Sequence, residues 1–264
     1  MQIEIWADVA NPWTHVAAER LRAALATADA PAEPVWRPLL ADAADPLAPR
    51  EALRLLVLAE EHGGPELQDR VARELFASHD IRDAAELAAV AERGGFPEGG
   101  ALLASDAGRS RLRELLLIGK ARGIGVSPTL AVGERQLEFA MSPATIAEFL
   151  AECADVRLLP EEVRRLRWAE ALVGLGDPLG ALVLLEPMRA EHGEDPNVRR
   201  VAASAYFGSA QLGRARAVLE AILADCPDDS YARVMLGKTL KRQGRAAEAE
   251  THLRMAAAMT PAYA

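Results

Sequence analysis

Apolar and polar positions change rhythm along this chain, and each rhythm predicts a different kind of element. Residues 2–7, QIEIWA, alternate over a length that suits a short buried strand. Asn11 and Pro12 then offer an N-cap followed by proline in the first helical turn. Val16, Leu21 and Leu25 recur on one side at helical spacing, which predicts a helix running to about Thr27. Beyond the breaker-rich TADAPAEP a second strand is expected around Pro34 to Arg37. Four helical pieces follow between residues 50 and 122: EALRLLVLAEEH, ELQDRVARELFASH, AAELAAVAERGG and SRLRELLLIGKARG. TLAV and LEFAM, separated by GERQ with Gly133 in the turn, make a hairpin candidate, and a helix from Pro143 to Glu152 closes this half.

From about residue 156 only helical patterning remains, and it repeats. Ala181, Ala215 and Ala249 stand 34 residues apart, as do Leu185, Leu219 and Leu253. Small residues at such positions let antiparallel helices approach closely, while large ones fill the seam. Leu236, Gly237, Ala249, Ala256 and Pro261 of the last repeat resemble the tetratricopeptide (TPR) pattern, whose period is 34. Tyr206 of the middle repeat and Trp168 and Leu172 of the first fall on its large-residue positions. The resemblance implies an all-α solenoid of three repeats, at about 162–195, 196–229 and 230–263, reached through a linker at 156–161. Three repeats are the usual minimum for such a stack, and no polar capping helix follows MAAAMTPAYA. A second copy of the chain, in a homodimer, is therefore expected to shield that end.

Composition narrows the functions open to this architecture. At 264 residues the chain is long enough for two ordinary domains. Half of its residues are apolar and 5% aromatic, so helix-rich cores of Leu, Val and Ala are expected. A net charge of −9 argues against general affinity for nucleic acid or anionic lipid, while leaving room for a local basic patch. MQIEIWADV has neither the basic nor the apolar region of a signal peptide, and no apolar run approaches the ~20 residues of a membrane span. A cytoplasmic protein without membrane or nucleic-acid partners is the expectation. Five histidines without metal-ligand spacing predict no metal site. Cys153 and Cys226 fall in different halves, so no disulfide is expected and both read as buried thiols.

The candidate chemistry lies in DVANPWTH, Asp8 to His15, at the first strand-to-helix junction. The order strand, helix, strand, helices, hairpin, helix is that of an α/β thioredoxin-like fold with a helical insertion, here about 48–122. IEIWADVANPWTHVAAERL resembles the start of DsbA-family oxidoreductases of the FrnE type, where a strand and Asp-Val precede Cys-Pro-Trp-Cys and a helix. HDIRDAAELAAVAERGG is similar to their insertion helices, and ARGIGVSPTLAV to their Gly-Val-x-x-Val-Pro-Thr stretch. The likeness covers about residues 1–153, which sets the expected domain at 1–155 and leaves 162–264 to the repeats. It implies that Pro128, in Ser127-Pro128-Thr129, is cis and lies against the motif, with the Ser127 backbone able to pair with an extended peptide or a thiol tripeptide.

Asn11 and Thr14 occupy the two positions at which that family carries cysteines. A helix N-terminus converts a cysteine there to thiolate near neutral pH, and disulfide exchange begins with that sulfur. The degenerate motif Asn11-Pro12-Trp13-Thr14 is therefore expected to carry out no thiol–disulfide exchange. Two functions of different classes fit what is left. The fusion resembles chaperedoxins, which hold unfolding clients, so a protein-binding module, adaptor or chaperone-like holdase, without a cofactor, is one expectation. Its groove positions, implied by the TPR pattern, are Asn197, Arg200, Ser204, Phe207, Tyr231, Lys238, Lys241 and Arg242. Four of these are cations suited to the carboxylates of an acidic peptide. The alternative follows from a resemblance to the Ser-Pro-Tyr-Ser-like motif of kappa-class glutathione transferases and hydroxychromene-carboxylate isomerases, where a first-position hydroxyl donates to a bound thiolate. It implies a small-thiol-dependent isomerase or transferase, with a glutathione-like thiol as cofactor, the Asn11 amide as catalytic donor and Ser127 as backbone clamp, and the FrnE-type resemblance implies a place in a biosynthetic pathway. Asp8, Trp13 and His15 are expected to border the pocket in both cases.

Overall fold

The computed structural model describes residues 2–26, 33–40, 45, 49–138 and 141–263. The expected helix end at Thr27, most of TADAPAEP, the start of the insertion at 48, Phe139 and Ala140 of LEFAM, and residue 264 lie outside them. Two compact units divide the chain, one up to Leu158 and one from Leu159.

The first unit runs β1 (Gln2–Ala7), α1 (Pro12–Leu25), β2 (Glu33–Pro38), α2 (Arg50–Ala77), α3 (Ala84–Arg93), α4 (Gly99–Leu103), α5 (Arg109–Ala121), β3 (Thr129–Val132), β4 (Arg135–Glu138) and α6 (Pro143–Glu152). Its sheet has the order β2-β1-β3-β4, with β1 parallel to β2 and antiparallel to β3, and β3 antiparallel to β4. This is the thioredoxin-like arrangement, interrupted between β2 and β3 by helices. Two of the expected helices form one element, α2, broken by non-helical backbone at Gly63 and Gly64 just before Pro65. The short α4 escapes the sequence reading because its first turn is Gly99-Gly100, a poor helix signal; both glycines lie tight against neighbours, Gly99 on Ala91 and Phe96, Gly100 on Ala88.

The two faces of the sheet differ in chemistry. Ile5 and its cross-strand partner Trp36 lie on the α1 side, with Ala18 and Leu21, and α1 packs on α6. On the other face Trp6 meets Gly119 of α5, where an added Cβ would lie 2.8 Å from the ring. Beside Trp6 sits a buried ion cluster: Glu4 pairs with Arg122 and, at 3.4 Å, with Arg37, which reaches Glu60 at 2.6 Å. Burial pushes the Glu4 carboxyl upward, yet Arg122 and Arg37 outweigh it and hold its pKa below the ordinary 4.5. β2 is an edge strand, and the buried Gln68 of α2 satisfies it: Oε1 accepts from Trp36 N at 2.8 Å and Nε2 donates to Trp36 O at 3.0 Å.

Among its described residues the second unit has six α-helices in three antiparallel pairs, α7 (Glu161–Gly174) with α8 (Pro178–Glu191), α9 (Pro196–Gly208) with α10 (Leu212–Asp225), and α11 (Ser230–Arg242) with α12 (Ala246–Met259), followed by a single 3-10 turn at Pro261–Tyr263. Ala181, Ala215 and Ala249 are all buried in the seams. Leu185 and Leu219 are buried as well, whereas Leu253 is only half-buried. A Cβ on Gly237 would stand 2.7 Å from Leu253, which explains glycine at that closest approach of α11 and α12. The period extends to backbone geometry. Gly176, Ala210 and Gly244, each 34 residues from the next, have φ of 74°, 59° and 78°, and the following N–H groups bond back to the carbonyls of Leu172, Tyr206 and Leu240. One expectation fails: Cys153 is buried, but Cys226 is exposed, because it lies at the C-terminal end of α10 where the chain leaves the seam.

Candidate functional site

Asn11 terminates α1 as its N-cap, Oδ1 accepting from Trp13 N at 3.0 Å, with Pro12 in the first turn. Its Nδ2 donates to the carbonyl of Ser127 at 2.8 Å, so the amide ties the helix start to the loop before β3. The Ser127–Pro128 peptide is cis, and Pro128 and Thr129 are buried. Thr14 is fully buried, and its hydroxyl donates to Asp8 O at 2.8 Å. That donation spends the one Thr14 proton, so in the 3.3 Å contact between Thr14 Oγ1 and Ser127 Oγ the serine is the donor. Ser127 Oγ in turn accepts from Asp8 N at 2.8 Å. The three residues thus close a directed ring in which Asp8 N–H feeds Ser127, Ser127 feeds Thr14, and Thr14 feeds Asp8 O. The Asp8 carboxylate accepts from Ala10 N at 2.9 Å and organises the junction.

Outside this ring lies a cleft of about 400 Å³. Asn11, Pro12 and His15 form one wall and Phe76, His79 and Arg82, at the end of the insertion's first long helix, the other. His15 is exposed and its ring meets that of Phe76 at 5.6 Å. Trp13 is 59% exposed and does not line this cleft. The sequence reading missed Phe76, His79 and Arg82, since only the fold-back of α2 brings HDIRD beside residues more than 60 positions earlier. Among the described residues no group of three His, Cys, Asp or Glu side chains could hold a metal ion.

The expected groove residues of the repeats lie on α9 and α11, and three links join these helices. Arg200 pairs with the nearly buried Asp229 at 2.7 Å, and Asp229 also caps α11 through Ala232 N. Tyr231 OH lies 2.8 Å from Ser204 Oγ; the serine proton goes to Arg200 O, which makes the tyrosine the donor. Arg242 donates to Phe207 O at 2.7 Å and lies 4.5 Å over the Phe207 ring. Two of the four expected cations are therefore committed, Arg200 to a carboxylate and Arg242 to Phe207. Lys238 and Lys241 are exposed on α11, with no ion pair among the described residues, and Asn197 is exposed at the start of α9.

A family model of the tetratricopeptide repeat matches residues 172–233. Among solved structures, a probable DsbA oxidoreductase from Streptomyces coelicolor is similar, with a TM-score of 0.54 and 19% identity over 61% of this chain and 93% of that one. At that identity the likeness is one of fold. No curated protein matches the chain. The architecture is thus a DsbA-like, thioredoxin-fold unit followed by TPR helices, and no described helix is long and apolar enough to cross a membrane. The TPR match spans the end of α7, the whole of α8, α9 and α10 and the first turn of α11, which includes Asn197, Arg200, Phe207 and Tyr231.

Proposed function

We propose that this protein is a protein-binding module, an adaptor or holdase, whose TPR helices hold an acidic peptide segment and whose FrnE-like motif has no redox role. The carrying observation is the pair of exposed lysines, Lys238 and Lys241, with no ion pair among the described residues, beside a groove already braced by its own side chains. Bracing leaves less to be ordered when a partner arrives. A redox-inactive site is supported by the chemistry of the two thiols in the chain: burial raises the Cys153 pKa and the bond to Asp228 raises that of Cys226, so both resist forming thiolate. The test is affinity recovery of partners from a cytoplasmic extract with the wild type and with Lys238→Glu/Lys241→Glu. Loss of the same set of partners is expected; identical recovery would remove the groove from the proposal.

One observation favours a second reading, a small-thiol-dependent isomerase or transferase: the cleft is lined by Asn11, and Ser127, to which the Asn11 amide is bonded, has an N–H that makes no hydrogen bond among the described residues. Against it, one Asn11 N–H is already given to Ser127 O. Glutathione added to the purified protein separates the two. A rise in melting temperature that Asn11→Ala abolishes supports the enzyme, and no shift at millimolar glutathione supports the module.

A further inference from the structure

The groove face of the repeats differs in character from one end to the other. At the first-repeat end Val163 and Leu166 of α7, Met188 of α8 and Val198 of α9 line a cleft of about 440 Å³. Met188 and Val198 form a buried floor, while Val163 is 40% exposed, an apolar surface left facing water. Glu162, His192, Asp195 and Asn197 line the cleft as well, and the two carboxylates disfavour acidic groups there. At the third-repeat end the charge is reversed, with Lys238 and Lys241 exposed on α11. α7 packs on α9 and α9 on α11, so two helix spacings separate the ends, roughly 20 Å. Val163 lies near the start of its helix and Lys241 near the end of its own, which adds a rise on the order of 15 Å. The diagonal is about 25 Å, the reach of roughly seven or eight residues of extended chain.

We propose that the repeats recognise a bipartite segment: one leucine-sized apolar residue seated in the Val163–Leu166–Met188–Val198 cleft, and acidic residues roughly seven positions away on Lys238 and Lys241. This rests on the protein-binding reading above and deepens it, naming the partner as an extended peptide with an apolar anchor and an acidic end. The opposed charges at the two ends of the groove make the arrangement selective, since an acidic residue beside the anchor meets Glu162 and Asp195.

The probe is a fluorescent synthetic peptide with a Leu-Leu pair, a six-residue Gly-Ser spacer and three aspartates, made in both chain orders, and titrated against the full-length protein by anisotropy. A companion peptide carries Ser-Ser in place of Leu-Leu. Val163→Glu, at an exposed position and checked for unchanged melting, is expected to weaken the leucine peptide about tenfold and to leave the companion unaffected. Lys238→Glu/Lys241→Glu is expected to weaken both, and shortening the spacer to two residues to remove the advantage of leucine. Equal affinity for the two peptides, or no effect of Val163→Glu, overturns the anchor while leaving the acidic-peptide reading standing. Insensitivity to the lysine reversal overturns that reading instead, and failure of both chain orders to bind overturns the bipartite segment.

Discussion

Single side chains decide what chemistry this molecule has at hand. Sulfur is present on the surface at Cys226, but its thiol donates to the Asp228 carboxylate at 2.9 Å, which stabilises the protonated form and raises the pKa. A raised thiol pKa means less thiolate at a given pH. Alkylation of Cys226 by iodoacetamide near pH 8, about the ordinary thiol range, should therefore be slower than that of a free cysteine, and Asp228→Asn should speed it severalfold. Mass-spectrometric time courses would test this, and equal rates in the two proteins would refute it. At the motif, the Asn11 amide and Thr14 hydroxyl are internal fasteners that hold α1 to the loop of Ser127. Their identities were legible as replacements for sulfur, but the partner of each hydrogen bond was not, because Ser127 is more than 100 residues away in the chain.

At the scale of elements, the 34-residue period governs both packing and turns. The left-handed position between the helices of each pair holds Gly176, Ala210 and Gly244. Ala210 alone bears a side chain at positive φ, a conformation that costs an L-residue about 1 kcal/mol or more. Ala210→Gly should stabilise the repeats by about 1 kcal/mol, and Gly176→Ala or Gly244→Ala should cost a similar amount, since an added Cβ meets nothing within 4 Å at either glycine. Urea denaturation of the three variants checks the pattern, and destabilisation by Ala210→Gly would contradict it. The same period, read at positions 176, 210 and 244, carried this signal in the sequence beside the alanine and leucine spacing. Gln68 is a comparable case: it stands with Val71, Ala72 and Leu75 on one buried stripe of α2, a polar residue in an apolar row, and the edge of β2 is what it serves.

For the whole molecule, acid stability of the thioredoxin-like unit should track the ion cluster under its sheet. The folded Glu4 carboxyl titrates below its ordinary value despite burial, because Arg122 and Arg37 favour its charge. Its stabilising contribution is thus fully present above the ordinary carboxylate range and is lost as the pH falls through the lowered folded value. Glu4→Gln should cost about 3 kcal/mol near neutral pH by taking from the buried Arg122 guanidinium its carboxylate partner, while Arg37 keeps Glu60, and the gap to wild type should narrow below about pH 4. Chemical denaturation across that range would measure it, and a pH-independent gap would refute the assignment. The sequence alone determined the succession of strands and helices apart from α4 and the merging of two helices in α2, the repeat period and the absence of cysteine at the motif, because periodicity and residue identity are local properties. Only the tertiary structure decided that Asp8, Thr14 and Ser127 close a hydrogen-bonded ring, that Asp229 and Phe207 engage two of the four groove cations, and that HDIRD meets the motif across a cleft. Those facts depend on which distant backbone and side-chain groups come within about 3 Å of one another, and spacing along a chain does not encode that.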